Sequence, residues 1–171
     1  MNRVTGLILS AVVAALVSGC GSTYSWRSSV PENMRTVCVP TFRNESELNE
    51  LGAVSARQVL REFQREGTFA IRGADEAALE VQGIVKSVSI GGTAYSRRTY
   101  GRQHAGVVTA TVEVSVIDKR AGLVLIEARN YTAHATAMWG SDSTTAERDA
   151  SGRLADDLAR QIVDDVLNMK W

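Results

Sequence analysis

Alternation of apolar and polar positions is strongest from Val107 to Ile117. Val108, Ala110, Val112, Val114 and Val116 interleave with Thr109, Thr111, Glu113 and Ser115, which predicts a strand buried on one face. Asp118 to Gly122 then predicts a hairpin loop ending in glycine, and Leu123 onward, to Ala135, a returning strand. Upstream, Leu79, Val81 and Val85 alternate with Glu80, Gln82 and Lys86. Val88 and Ile90 have the opposite parity, so a bulge or strong twist is expected near Ser87. Gly83 fits a bend or a close approach within that strand. These three consecutive strands predict an antiparallel meander.

The helical period governs two other stretches. Leu48, Leu51, Ser55, Val59 and Phe63 share a face, with Ala56 and Leu60 beside them, and Gly67 is a suitable C-terminal stop. Asn44 and Glu47 have the spacing of a capping box for this helix, which runs to Glu66. Arg57, Arg61, Glu62, Arg65 and Glu66 fall on a solvated face or at its margin. The last helix repeats Ala150, Leu154, Leu158, Ile162 and Val166 at four-residue spacing, after a Thr144–Glu147 capping pair. Trp171 is expected to cover an edge of the sheet or a helix. Thr36 to Pro40 reads as a short strand with both faces covered, Pro40 at its exit and Phe42 turned back onto the core, feeding directly into the first helix. Thr68 to Arg72 is a short extended piece. The order is strand, helix, three strands, helix. It predicts an α+β two-layer sandwich: a mixed sheet of about four strands (β-α-β-β-β-α) with both helices on one face. The helix between the first two strands favours a parallel crossover; the strand order stays open.

The N-terminus changes the picture of where this domain works. Leu7 to Leu16 is apolar except for Ser10, Arg3 precedes it, and Leu16-Val17-Ser18-Gly19-Cys20 closes it. This layout is a secretory signal, too short to span a membrane comfortably. Ser18-Gly19-Cys20 resembles the lipobox of bacterial lipoproteins, which implies cleavage before Cys20 and its acylation. Gly21, in place of an Asp, implies sorting to the outer membrane. The expected organisation is a signal peptide over 1–19, a lipidated Cys20 with a tether over 20–35, and a single domain over 36–171. Tyr24 and Trp26 interrupt the tether; they suit docking on the domain, the membrane surface or a partner.

Charge excludes one class of partner. Loss of Arg3 takes the 19 basic residues to 18, against 19 acidic ones, so the mature chain is near neutral and unsuited to general nucleic-acid binding. Cys38 is then the single thiol, which makes neither an internal disulfide nor a cysteine metal site; it reads as a small core residue or an intermolecular link. Gly91 to Gly106 contains no acid and holds Tyr95, Arg97, Arg98, Tyr100, Arg102 and His104. His104 and His134 lie in no nucleophile or metal motif, and no glycine-rich phosphate loop occurs, so no catalysis, cofactor or metal is expected.

The chain resembles the LptE lipoproteins of lipopolysaccharide assembly. The resemblance rests on the order of weak motifs: Cys20, Tyr24-Ser25-Trp26, Val30-Pro31-Glu32, Met34 to Pro40, Phe42-Arg43-Asn44, Glu62-Phe63, and Ala77 to Ile84. Thr23 departs from it, since the family often has Gly there. The resemblance implies an outer-membrane lipoprotein on the periplasmic side, lodged in an LptD-like β-barrel whose assembly it supports, with lipopolysaccharide delivered to the cell surface. Arg97, Arg98 and Arg102 would then contact lipopolysaccharide phosphates or acids of the barrel lumen, and Tyr95 and Tyr100 would stack on sugars. The alternative for these residues is a solvated loop. Val37 to Asn44 also resembles the first strand of curli-secretion lipoproteins and of lipoproteins that activate penicillin-binding proteins. The long meander and terminal helix favour the LptE family.

Overall fold

The computed structural model describes the backbone of residues 30–95, 104–139 and 143–171, and the side-chain packing of 30–91, 106–137 and 145–171. Its strands are β1 (Thr36–Cys38), β2 (Arg43–Asn44), β3 (Ala70–Ile71), β4 (Leu79–Tyr95), β5 (His104–Asp118) and β6 (Leu123–Trp139). The helices are α1 (Leu51–Glu66) and α2 (Ser143–Asn168). One mixed sheet contains the six strands in the order β3-β1-β4-β5-β6, with β2 pairing β4 off that path. β4, β5 and β6 form the expected antiparallel meander, and β1 lies parallel to β4 with no gap between them.

The count of strands corrects the expected four. β2 and β3 are two residues each, too short to display any period. They exist because neighbouring strands supply ladder partners: Arg43 and Asn44 pair with Ile84 and Val85, and Ala70 and Ile71 with Thr36 and Val37.

The start of the first helix is a second correction. Asn44 is in β2 and does not cap α1, whose N-cap is Glu50 with no side-chain bond. The Asn44 amide instead closes the intervening loop. Its Oδ1 accepts from Ser46 N at 2.9 Å and Ser46 Oγ at 2.7 Å, and its Nδ2 donates to Leu48 O at 2.6 Å. An Asx turn and a capping box share the same residue types, and here the turn wins. So β1 does not feed directly into α1. Likewise Thr144 lies inside the first turn of α2 rather than ahead of it. The other end of α1 is as expected: Gly67 has φ +85° and its N–H donates to Phe63 O at 3.1 Å.

Both helices cover one face of the sheet and pack on each other. Leu51, Ser55, Ala56, Val59 and Phe63 of α1 are buried, as are Ala150, Leu154, Leu158, Ile162 and Val166 of α2. Beneath them lie Val108, Ala110, Val112, Val114 and Val116 of β5, none more than 2% exposed. Burial of each large apolar side chain contributes about 1.5–3 kcal/mol, so this single layer holds most of the stability. The bulge expected near Ser87 is present: the β4–β5 register shifts between Val85 and Ser87, which brings Val88 onto the helix-covered face opposite Ala110. Core packing begins before β1. Val30 is buried, and Glu32–Met34 form a 3-10 turn. Trp171 packs beside Phe69, with ring centroids 6.2 Å apart, next to the β3 edge.

Phe42 is the keystone between sheet and helix. It leaves β1 and enters the core at 3% exposure. A Cβ on Gly83 of β4 would meet the Phe42 ring at 2.5 Å, and a Cβ on Gly52 of α1 would meet the Phe42 carbonyl oxygen at 2.5 Å. Two glycines therefore make room for one aromatic residue. The close approach expected at Gly83 is thus observed, with its cause.

Candidate functional site

Among the described residues, no helix covers the second face of the sheet. Its positions alternate with the core positions: Gln82, Ser115, Thr109, Thr111, Glu113 and Thr132 are all on this side. They are half-buried or exposed, hydroxyls are frequent among them, and Ile84, Val107 and Ile117 share this side. Thr109 Oγ1 and His134 Nδ1 are 2.9 Å apart across β5 and β6, so His134 is engaged with a neighbouring strand. Toward β2, Lys86 lies 2.8 Å and Arg43 2.6 Å from Glu45. The Lys86 hydrogen bond, helped by Arg43 against some desolvation, holds the Glu45 carboxyl below its usual range. At the opposite end, Glu80 accepts from Gln82 at 2.7 Å and pairs with Lys119 at 3.2 Å. Charges here are matched locally. The face can meet another polar surface through hydrogen bonds without carrying a net field.

A groove lies at the far end of the helix-covered side. The loop before α1 supplies Glu47 and Leu48, β4 supplies Val88 and Ile90, β5 supplies Val108, and the first turns of α2 supply Glu147 and Ala150. It encloses about 210 Å³. A second hollow of about 210 Å³ shares Glu47, Leu48 and Glu147 and extends past Arg148 and Ser151. Ile90 is 61% exposed at the groove's edge. The floor is apolar while Glu47 and Glu147 stand at the rim, so this groove does not suit an anion by itself. Sequence reading missed it because its walls come from four separate segments. The visible signal was the phase change that turned Val88 and Ile90 toward the helices.

The residues singled out for ligand contact are not brought together in view. Tyr95 ends β4, where its backbone pairs with His104, but its side chain lies outside the described residues. Arg97, Arg98, Tyr100 and Arg102 lie outside them altogether, as does Cys20. Tyr95 and His104, the described residues on either side of that connection, pair at the groove end of the meander. Among the described residues no group of three or more His, Cys, Asp or Glu side chains could hold a metal. Cys38 is 6% exposed. Burial, followed by the Glu80 charge, pushes its thiol pKa up, so the reactive thiolate is disfavoured.

These features define an open two-layer α+β domain with one helix-covered face, one largely polar free face, and a long antiparallel meander. The chain belongs to the LptE family of lipopolysaccharide-assembly proteins, whose family model matches residues 34–166. It is therefore a lipoprotein of the lipopolysaccharide-assembly type. No curated protein matches. Protein XCC0632 from Xanthomonas campestris has a similar solved structure, at 11% identity and a TM-score of 0.52, covering 81% of this chain and 88% of that one. A minor lipoprotein from Acinetobacter baumannii is 16% identical with a TM-score of 0.45, covering 78% of this chain and 92% of that one. At this identity the Xanthomonas structure speaks to fold alone. No helix among the described residues is long and apolar enough to cross a membrane.

Proposed function

We propose that this lipoprotein partners an LptD-like outer-membrane β-barrel, supports the barrel's assembly, and takes part in delivering lipopolysaccharide to the cell surface. The family match over residues 34–166 is the observation that carries this reading. The free sheet face is in keeping with it. The interior of a large membrane barrel is polar and wet, and a hydroxyl-rich face with locally matched charges can lie against such a wall without stranding a charge. Cys20 is the acylated anchor, on the periplasmic side of the outer membrane. Arg97, Arg98 and Arg102 contact lipopolysaccharide phosphates or acids in the lumen, with Tyr95 and Tyr100 against sugars.

The test is purification of the tagged protein from solubilised outer membrane. A stoichiometric β-barrel in the eluate is the expected result. A peptidoglycan synthase or a curli-secretion complex would replace this reading with one of the other lipoprotein roles. With the barrel in hand, replacing Arg97, Arg98 and Arg102 together by Ser should weaken lipopolysaccharide binding about tenfold or more and flatten its salt dependence. Unchanged affinity would assign the arginines to solvated surface.

A further inference from the structure

The sheet ends in two edges of very different length: β3 has 2 residues, whereas β6 has 17. One hydrogen bond fixes which way the β6 backbone faces. Lys119 N donates to Ala78 O at 2.8 Å, so the odd-numbered residues of β5 turn their backbone groups toward β4 and the even-numbered ones toward β6. β5 carries no extra residue, so this alternation runs its whole length. Thr111, Thr109 and Val107 therefore face away from β6, and their partners Thr132, His134 and Thr136 turn both N–H and C=O outward. Two of these carbonyls are met by α2: Arg153 Nη1 donates to Thr136 O and Gln161 Nε2 to Thr132 O, each at 3.1 Å. Among the described residues, the N–H groups of Thr132, His134 and Thr136 and the His134 carbonyl have no protein partner.

Free edges are usually blunted by charge, proline or a bulge. This one has none of the three. No charged residue lies between Asn130 and Trp139, the prolines are Pro31 and Pro40, and the β5–β6 register is unbroken from Arg129 to Trp139. Instead α2 stands along the edge. Arg153 bonds Thr136, Gln161 bonds Thr132 and Asp165 bonds Tyr131, so the helix runs antiparallel to β6 and overhangs it. Arg153 and Gln161 donate where the N–H groups of a neighbouring strand would donate. Arg153 is exposed and, among the described residues, has no ion pair, so it is free to leave its carbonyl. The edge and the helix together make a slot, with outward backbone groups as its wall and α2 as its roof.

We infer that the β6 edge takes up one extended segment of the barrel partner as an added strand. The segment's N–H groups replace Gln161 and Arg153 on the Thr132 and Thr136 carbonyls, and a carboxylate on the segment receives the freed Arg153 guanidinium. This contact rests on the barrel partnership proposed above. The wall of a closed barrel has no free edge, so the segment is a loop or a terminus of the barrel chain. A second copy of the domain does not fit the slot. Paired strands lie about 4.8 Å apart, whereas packed helices need about 8–10 Å, so two copies joined edge to edge would crowd their α2 helices. A lone segment passes beneath the roof. Backbone pairing supplies the attachment, and Arg153 selects the segment that carries an acid.

The experiment uses the full mature protein, purified from outer membrane with its barrel. His134→Pro removes one outward N–H and blocks an added strand without taking a bond from β5. His134→Ala loses the same contact with Thr109 but keeps the N–H. Denaturant midpoints check that both variants fold. The expected result is that His134→Ala retains the barrel and His134→Pro recovers at least tenfold less of it. Hydrogen exchange on the parent needs no variant. The amides of Thr132, His134 and Thr136 should exchange freely in the protein alone and at least a hundredfold more slowly in the complex. Equal recovery by both variants, with these amides unprotected in the complex, overturns the added strand and leaves the barrel partnership standing. A parent that brings down no barrel overturns both. Amides already protected in the protein alone also overturn the contact: protection that rises with concentration assigns the edge to a second copy, and protection that does not assigns it to the chain's own N-terminal segment.

Discussion

Phe42 is held from two sides by residues that have no side chain, and this gives the sharpest expectation at the residue scale. Replacing Gly83 by Ala forces a methyl into the Phe42 ring, which is itself walled in and cannot swing aside. The loss should be about 2 kcal/mol or more, read from the denaturant midpoint. Adding Phe42→Leu should recover part of it, since the smaller side chain vacates the space. A Gly83→Ala protein as stable as the parent would mean the ring is not locked. Cys38 offers a second residue-scale expectation. Its protonated, buried thiol should react with a disulfide reagent at least tenfold more slowly than a free thiol, and at the ordinary rate once the protein is unfolded. Fast reaction in the native state would require β1 to open readily. Residues of this kind differed in how well the sequence announced them. Gly83 was visible because a glycine interrupts an otherwise regular strand. Gly52 was not, because a glycine in a helix reads only as weak propensity, and its reason is a carbonyl from a loop ten residues earlier in the chain.

Elements were legible in proportion to their length. β5 and α2 repeat their pattern over many residues, and their buried faces match the periodicity position by position. β2 and β3 have no period, and the loop before α1 uses residue types that two local motifs share. At this scale one polar cluster ties α2 to the sheet. Asp165 on α2 accepts from Tyr131 Oη at 2.7 Å and from Arg129 Nη1 at 2.6 Å, both on β6. Burial opposes the Asp165 charge, but the two hydrogen bonds outweigh it and hold the carboxyl below its ordinary value. Burial and the carboxylate both push the Tyr131 hydroxyl upward, so it stays a donor. A lowered carboxyl pKa contributes stability that is complete above the unfolded value, about 3.9, and is lost as pH falls through the folded value. Asp165→Asn should therefore be less stable than the parent by about 1 kcal/mol at pH 7, a modest figure because the pair is partly solvated. The gap should close below about pH 4. A gap independent of pH would show that the loss comes from packing, not charge.

The whole molecule divides its faces between jobs. One carries the core, one is largely polar, and the two ends differ: a groove at one, a hairpin with exposed Leu123 and Val124 at the other. The fold class, the single layer of helices and the meander could be read from the chain alone, because each follows from long-range periodicity. The groove and the hairpin tip could not. The groove is an assembly of distant segments, and at the hairpin the extra residue Leu125 is set by a register that only pairing decides. The arginines lie in a segment whose chemistry is plain in sequence but whose arrangement lies outside the described residues.

The strand order also sets a sequence of events in time. β4, β5 and β6 pair with immediate neighbours through short turns, whereas β1 must find β4 some 40 residues away, and β3 must then add to β1. Local pairings close small loops at low entropic cost; the parallel strands close large ones and add only two or three residues each. The meander should therefore form first and open last, with the parallel flank as the least protected unit of the native state. In hydrogen exchange, the backbone amides of Ala70 and Arg72, which donate to Arg35 and Val37, should exchange at least a hundredfold faster than those in the middle of β5. Equal protection would mean the domain opens only as a whole. If the flank does open alone, β1 and the chain leading back toward Cys20 can come free while the rest of the protein keeps its shape.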